Sequence, residues 1–396
     1  RASALVYETL DRLIFIDYCI DRFARGKVSP QIRGILRLGI CEAWFMDTPV
    51  SAACNESVRL AEEIGKGALK GYVNGVMRAV CRAGMEAIRL PDEPCERLSV
   101  KYSYPLWLVE QYVGLYGAEF AEAMLAYRPH GMTIRPHRPF TAEELESWLD
   151  GEGIEYSRGD LVPDAFRLER GFDVSGNALF NAGSITVQSE SAMLVCRACL
   201  VQPHMTVLDA CCAPGGKTAY LSMLMGGSGT IDAWELHEHR AALTRATLAR
   251  LNVTNARVTV RDATQRHDDS LDKYDVALVD APCSGLGVLG KPDIRYAKQS
   301  GAPEELARTQ YALLDRCCGY VKPGGALVYS TCTIQKRENE DVVDAFLASH
   351  PNFTADGLCE ALPSRLAPRV RNSTLQLFPH LDNTEGFFIA RLIRKT

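Results

Sequence analysis

Two cysteines stand at positions where a reactive thiol could do chemistry. Cys283 lies in the run Asp280-Ala-Pro-Cys-Ser-Gly285, and Cys332 lies in Ser330-Thr-Cys-Thr333. Each run directly follows a short apolar segment that is typical of a buried parallel strand. A thiolate at a strand end is a candidate nucleophile. Most of the 14 cysteines are better interpreted as buried fillers, but these two share the edge where an active-site crevice is expected.

A second chemical signal is the run Val207-Leu-Asp-Ala-Cys-Cys-Ala-Pro-Gly-Gly-Lys-Thr218, which predicts a strand, a glycine turn and a helix start. A P-loop would need Gly where this run has Cys211, and the dinucleotide fingerprint Gly-x-Gly-x-x-Gly is absent. Acids end or follow three successive predicted strands, at Asp209, Glu235 and Asp262. Single acids at such places are usually helix caps. Three acids at corresponding places after successive strands favour S-adenosylmethionine as the bound cofactor. Glu235 would accept the ribose hydroxyls, and Asp262 would contact the adenine edge.

The second half of the chain contains the elements that would position these residues. Short apolar runs alternate with helical stretches, at 206–209, 230–235, 257–260, 274–280 and 326–330. This alternation predicts an open, doubly wound α/β sheet of the Rossmann-like class over residues 191–396. The carboxyl ends of its strands would gather the acids and both thiols at one crevice.

The first half predicts two further domains. Residues 1–98 have apolar residues at helical spacing and few Gly or Pro, which predicts an all-helical bundle. Residues 99–190 are mixed and predict a small α+β module. There Thr141 and Glu144 have the spacing of a helix capping box.

Composition limits the class of protein. The chain has 396 residues, 47% of them hydrophobic and 23% charged, and no apolar run long enough to span a bilayer. We expect a cytoplasmic monomer with reduced thiols. Cys196-x-x-Cys199 lacks a second pair at zinc spacing, so we expect no metal. The net charge of −5 excludes binding of nucleic acid by overall charge alone. A nucleic-acid substrate would therefore need a local basic surface on the protein.

Six motifs occur in order between about residue 100 and the end: Asp209-Ala-Cys-Cys-Ala-Pro-Gly-Gly-Lys-Thr218, Asp280-Ala-Pro-Cys-Ser-Gly-Leu-Gly287, Lys291-Pro-Asp-Ile-Arg295, Tyr329-Ser-Thr-Cys-Thr333, Glu338-Asn-Glu340 and Glu385-Gly-Phe-Phe-Ile-Ala390. Together they resemble the Sun/Fmu family of RNA cytosine-5 methyltransferases. Residues 1–98, with Tyr72-Val-Asn-Gly-Val-Met-Arg78, resemble the NusB-like RNA-binding domain. This combination implies a class I methyltransferase that acts on small-subunit ribosomal RNA.

The resemblance implies a role for each matched residue. Cys332 would be the nucleophile that adds to carbon 6 of cytosine, and Cys283 would assist its release. Independently of the resemblance, we hypothesise that Asp280 holds the base edge in a general acid/base role, with Lys217 placing Asp280 or the base. The target base must leave its stack, which suits looped RNA. We expect the S-adenosylmethionine contacts to come from Asp209, Ala210, Cys211, Cys212, Ala213, Pro214, Gly215, Gly216, Lys217, Glu235, Arg240, Asp262, Ala263, Asp280 and Pro282.

Other interpretations stay open. A DNA cytosine-5 methyltransferase would use Cys283 as the nucleophile, but it leaves the Thr-Cys motif and the helical domain unexplained. A tRNA or other RNA could be the substrate. A non-catalytic RNA-binding assembly factor would not need both thiols.

The chain departs from the family pattern at Cys212, Tyr296, Glu385 and Arg135-Pro-His137. The candidate RNA contacts are basic residues in the first two domains: Arg22, Arg25, Lys27, Arg33, Arg37, Arg135 and Arg138.

Overall fold

The computed structural model of the protein describes residues 2–129, 131–169, 172–291, 296 and 302–396. These residues form two compact units. One consists of the described parts of 1–127 and 290–300, and the other of the described parts of 128–289 and 301–396. The strands of both β-sheets lie in the second unit.

The first unit is built from helices, as its apolar spacing predicts. The bounds are Ala2–Asp11 (α1), Leu13–Phe23 (α2), Pro30–Phe45 (α3), Val50–Glu63 (α4), Lys70–Ala83 (α5), Pro94–Tyr102 (α6), Leu106–Tyr116 (α7) and Ala118–Ala126 (α8). On α3, Ile32, Ile35, Leu36 and Ile40 are buried in one cluster because they share a helix face. Among the described residues, no helix has the length and apolar character needed to cross a bilayer.

The helical unit extends beyond the boundary expected near residue 98. That residue lies inside α6, where Leu98 and Val100 are buried, and α6 packs against α2. Helices α7 and α8 follow in the same unit. The mixed segment expected from residue 99 therefore begins with helices that belong to the first unit.

The second unit contains a small antiparallel sheet in the order β2-β3-β1-β4. Its elements are Met132–Pro136 (β1), Ala142–Gly151 (α9), Tyr156–Arg158 (β2), Phe166–Leu168 (β3), Ala178–Asn181 (α10) and Ile185–Val187 (β4). The predicted capping box of α9 is confirmed. The amide of Glu144 donates to Thr141 Oγ1 at 3.2 Å, and the amide of Thr141 donates to Glu144 Oε2 at 2.7 Å.

The larger sheet confirms the predicted doubly wound architecture. Its strands are Thr206–Asp209 (β5), Thr230–Glu235 (β6), Ala256–Val260 (β7), Tyr274–Asp280 (β8), Val321–Thr331 (β9), Phe353–Ala355 (β10), Thr374–Gln376 (β11) and Phe388–Arg394 (β12). The order is β10-β12-β9-β8-β5-β6-β7, with β11 paired to β12. Strands β5 to β9 pair in parallel, whereas β10, β11 and β12 pair antiparallel.

Successive strand residues point to opposite faces of this sheet, so both faces carry apolar side chains. Helices cover both faces and bury these side chains. The helices of this part of the unit are Glu190–Ala198 (α11), Gly216–Leu224 (α12), Glu238–Arg250 (α13), Ala302–Cys317 (α14), Glu340–Ser349 (α15) and Pro379–Asp382 (α16). Val207 of β5 packs in the cluster that contains residues of α11 and α12. Its neighbour Leu208 packs in the opposite cluster, with residues of α14 and α15. Strand β5 lies between β6 and β8, so the chain reverses its winding direction there, where such folds bind ligands.

Candidate functional site

The turn between β5 and α12 carries the predicted cofactor residues 210–215. Gly215 has a φ of +102°, and a Cβ there would lie 3.1 Å from Thr244 Cγ2, so a side chain would be strained and crowded. A Cβ on Gly216 would meet nothing within 4 Å. The turn is held to both neighbouring strands, because Ala210 N donates to Leu278 O and Cys212 N donates to Trp234 O, each at 2.9 Å. Its backbone is therefore fixed and open to a ligand at Gly216.

Asp209 ends β5 with its carboxylate buried. Thr218 Oγ1 on α12 donates to Asp209 Oδ2 at 2.7 Å. Asp209 Oδ1 is buried and has no hydrogen-bond partner in the structure. Burial raises the pKa of Asp209 to about 6. A buried acceptor without a donor is costly, so this oxygen fits a polar ligand group that donates to it.

The next two acids differ from each other. Glu235 is 3% exposed, and its carboxylate accepts from His237 N at 3.1 Å and lies 3.4 Å from Arg240 Nη1. Asp262 follows β7 and turns toward its own chain, where Oδ1 accepts from the amide and hydroxyl of Thr264 at 2.9 and 2.7 Å. Asp262 therefore also caps a local turn, and Ala263 beside it is buried.

The end of β8 carries an ion pair. Lys217 Nζ lies 2.6 Å from Asp280 Oδ2, and Ser330 Oγ donates to Asp280 Oδ1 at 2.7 Å. Burial alone would lower the pKa of Lys217, but the charge and hydrogen bond of Asp280 raise it above its ordinary value. Lys217 is therefore a cation at neutral pH, held against a carboxylate whose two oxygens both have donors.

The two thiols meet because their strands are neighbours in register. Asp280 of β8 pairs with Ser330 of β9, and the cysteines follow these residues by three and two positions. The sulfur atoms of Cys283 and Cys332 lie 3.2 Å apart, and Cys332 N donates to Cys283 Sγ at 3.3 Å. The hydrogen bond with Cys332, together with burial, raises the pKa of Cys283 well above its ordinary value. Cys283 therefore keeps its proton at neutral pH.

The structure corrects one predicted RNA contact and weakens two others. Arg135 on β1 is 0% exposed, and it donates to Gln188 Oε1 at 2.6 Å, so it cannot meet RNA at the surface. Arg33 pairs with Asp17 and Asp21, and Arg37 pairs with Asp17. The remaining candidates are exposed: Arg22, Arg25, Lys27 and Arg138.

Some site residues were not predicted as such. Ser330 holds Asp280, and the buried side chains of Gln310, Glu338 and Asn339 hold the two cysteine loops. The sequence signal for Glu338 and Asn339 is the Glu338-Asn-Glu340 motif, whose pattern does not by itself indicate a role. Residues 292–295 of the Lys291-Pro-Asp-Ile-Arg motif lie outside the described residues. Within the described ranges, no group of three or more His, Cys, Asp or Glu side chains could hold a metal ion.

Comparison with known proteins gives a consistent result. The family model described as 16S rRNA methyltransferase RsmB/F matches residues 198–393, and the NusB family model matches residues 1–82. A Bacillus subtilis protein named probable ribosomal RNA small subunit methyltransferase B is 37% identical over 99% of this chain and 90% of its own length. Ribosomal RNA small subunit methyltransferase B of Sodalis glossinidius is 32% identical over 94% of this chain and 83% of its own.

Solved structures agree in fold. The crystal structure of PH0851 has a TM-score of 0.85 at 27% identity and covers 98% of this chain and 89% of its own. A methyltransferase homologue from Pyrococcus horikoshii has a TM-score of 0.63 at 26% identity, with 77% of this chain and 100% of its own covered. The doubly wound sheet and these matches define a methyltransferase with an N-terminal NusB-family domain. The chain belongs to the RsmB/F family of 16S rRNA methyltransferases.

Proposed function

We propose that this chain transfers the methyl group of S-adenosylmethionine to carbon 5 of a cytosine in 16S ribosomal RNA, through a covalent adduct on Cys332. The observation that carries the proposal is the pair of thiols 3.2 Å apart at the ends of β8 and β9. Cys283 follows Asp280 by three residues, and Asp280 is paired with Lys217. In an addition and elimination at cytosine, one thiol can add to the ring while the second assists its release. The names of the relatives support ribosomal RNA as the substrate.

The residues at the ends of β5 and β6 fit S-adenosylmethionine. Asp209 Oδ1 is a buried acceptor with no donor, Gly216 leaves open space beside the turn, and Glu235 is a buried carboxylate after the second strand. Bound S-adenosylmethionine supplies an activated methyl group. The remaining expected contacts are the turn residues 210–215, Lys217, Arg240, Asp262, Ala263, Asp280 and Pro282.

The chain's own residues would then perform the addition and elimination. Cys332 as thiolate adds to carbon 6 of cytosine, which breaks the ring double bond and makes carbon 5 nucleophilic. Asp280 holds the N3/N4 edge and stabilises the protonated ring, with Lys217 fixing that carboxylate. After methylation a base removes the proton from carbon 5, the double bond re-forms and Cys332 leaves. Cys283, whose raised pKa keeps it a thiol, assists this elimination.

We assign RNA binding to the helical domain expected over 1–98, whose unit extends through α8, and to the small sheet that follows it within the segment expected at 99–190. We assign methyl transfer to 191–396. Exposed Arg22, Arg25 and Lys27 in the first, and Arg138 in the second, support a local basic contact with phosphate. Because the proposed substrate is ribosomal RNA, we expect the protein to act in the cytoplasm. We also expect it to act as a monomer without a metal ion.

The test is methyl transfer from labelled S-adenosylmethionine, followed by nucleoside mass spectrometry. The substrates are unmodified 16S ribosomal RNA, the small ribosomal particle that contains it, bulk tRNA and double-stranded DNA. We expect 5-methylcytidine in 16S ribosomal RNA, naked or in the particle. Methylation only in tRNA or DNA would overturn the substrate, a different methylated atom would overturn the chemistry, and cofactor binding without any transfer would favour an assembly factor.

A further inference from the structure

Glu338 holds the loop that carries Cys283. Its side chain is 0% exposed, and Oε2 accepts from the amide of Ser284 at 2.9 Å. The same oxygen accepts from Gln310 Nε2 at 2.9 Å, and Gln310 also donates to the carbonyl of Pro282 at 3.0 Å. Both chain neighbours of Cys283 are thus fixed through one carboxylate.

Asn339, the next residue, holds the loop that carries Cys332. Its side chain is also buried, and Oδ1 accepts from Thr331 Oγ1 at 2.5 Å. Asn339 Nδ2 donates to the carbonyl of Thr333 at 3.1 Å. Both chain neighbours of Cys332 are therefore fixed through one amide side chain.

The two loops are also joined directly. Ser284 Oγ and Thr333 Oγ1 form a hydrogen bond at 2.8 Å, and Gly287 N donates to Cys332 O at 3.0 Å. Buried polar networks of this kind rigidify the groups they connect. No covalent bond sets the distance between the two sulfurs. The register of β8 and β9 brings the two loops side by side, and the network holds them there.

We infer that Glu338 and Asn339 are positioning residues, each acting on one cysteine loop, which together keep the two thiols in reach of each other. The catalytic consequence rests on the proposed function. Glu338 would govern the step that uses Cys283, and Asn339 would govern the attack by Cys332. A misplacement of about 1 Å can cost about 100-fold in rate, so loosening either loop affects catalysis without touching RNA contacts.

The first experiment uses RNA-free protein, so it stays interpretable if methyl transfer fails. Diamide takes up two thiol hydrogens as the Cys283–Cys332 disulfide forms, and peptide mapping measures the rate. We expect Glu338→Ala and Asn339→Leu to slow this reaction roughly 10-fold. Glu338→Gln keeps an oxygen acceptor for the Ser284 amide and should stay near the wild-type rate.

Glu190→Ala is the matched control. Glu190 is another buried glutamate of the same unit, and its carboxylate accepts from the amides of Leu161 and Val162, remote in sequence from both thiol loops. We expect this variant to form the disulfide at the wild-type rate. Thermal unfolding checks that each variant is folded. If folded Glu338→Ala and Asn339→Leu react as fast as wild type, or if Glu190→Ala slows equally, the inference is overturned. If Glu338→Ala does not fold, Asn339→Asp is tested instead, because it lacks the Nδ2 donor to Thr333. It should also slow disulfide formation, and a wild-type rate would overturn the inference.

The second experiment separates the two roles on RNA. Single-turnover kinetics should show Asn339→Leu slowing adduct formation, and Glu338→Ala slowing adduct release, with the KM for RNA unchanged in both. In a Cys283→Ala background, Glu338→Ala should add no further loss, because it acts through that thiol. A general defect in folding would instead lower both rates together and add to the loss from Cys283→Ala.

Discussion

The ammonium group of Lys217 lies 2.6 Å from a carboxylate oxygen of Asp280, although 63 residues separate the two along the chain. The side chains are only 17% and 21% exposed, so neither charge is well solvated. Because β5 and β8 are neighbours, the start of α12 after β5 faces the end of β8. The pair thus connects the cofactor turn to the strand that leads to Cys283.

Breaking this pair should be costly. We expect Lys217→Met to lower the free energy of unfolding by about 3 kcal/mol at pH 7, because the largely buried carboxyl group of Asp280 loses its cationic partner. The double variant Lys217→Met/Asp280→Asn should recover at least half of that loss. Urea unfolding measures both. The control is Lys273→Met, which removes a lysine that is 44% exposed from its pair with Asp232 and should cost roughly 0.5 kcal/mol. Equal losses at the two sites would contradict the account.

The two glycines of the cofactor turn should respond differently to a methyl group. Gly215→Ala places a side chain at positive φ against Thr244, and we expect a loss of about 2 kcal/mol in stability. Gly216→Ala meets nothing and begins α12, so its stability should equal or exceed that of wild type. Its Kd for S-adenosylmethionine should nevertheless rise roughly 10-fold, because the ligand approaches there. Calorimetry measures both the stability and the Kd. An unchanged affinity in folded Gly216→Ala would contradict binding of the cofactor at this turn.

Asp209 predicts an unusual pH dependence. Burial raises the pKa of Asp209 to about 6, so the folded state holds a proton that the unfolded chain releases near pH 4. As pH rises through both values, from about 3 to about 7, wild type should therefore lose about 3 kcal/mol of stability relative to Asp209→Asn. Asp262→Asn is the control, because the stability of wild type relative to this variant should change with pH in the opposite direction. Although burial opposes it, hydrogen bonds from Thr264 lower the pKa of Asp262, and its stabilising contribution is lost as pH falls. Urea unfolding at several pH values measures the difference in free energy of unfolding between wild type and each variant. A difference for Asp209→Asn that does not change with pH would disprove the prediction.

His137 should act in the reverse direction to Asp209. Burial, with the charge of Arg135 nearby, lowers the pKa of His137 to about 4, and its Nδ1 lies 3.2 Å from Arg135 Nη1. Arginine can only donate, so the folded ring is neutral there. The unfolded chain takes up a proton below about pH 6.5, so wild type loses stability as pH falls from 6.5 to 4. His137→Asn should lack this loss, whereas His204→Asn, at an exposed site, should retain it. Identical pH profiles for wild type and His137→Asn would contradict the assignment.

The sequence predicted the parallel strands well and other features less well. Strands β5 to β8 are short apolar runs that end in an acid or are soon followed by one, and the alternation of β5 to β9 with helices determines a doubly wound sheet. Strands β10 to β12 pair antiparallel at the edge and carry a weaker pattern. Arg135 was misassigned because a lone arginine in a short strand resembles a surface residue, and burial depends on tertiary packing. The sequence also placed both cysteines at one edge, but the roles of Cys283 and Cys332 came from the family resemblance. Their separation depends on the contacts of Glu338 and Asn339, which no local pattern reveals.

The most direct test of the central claim is capture of the RNA adduct. Wild type, Cys332→Ala and Cys283→Ala are incubated with S-adenosylmethionine and unmodified 16S ribosomal RNA, then denatured and resolved by electrophoresis. We predict that Cys332→Ala forms no adduct and transfers no methyl group, and that Cys283→Ala accumulates a protein–RNA adduct that resists denaturant. An adduct in Cys332→Ala, with none in Cys283→Ala, would reverse the two roles and contradict the account.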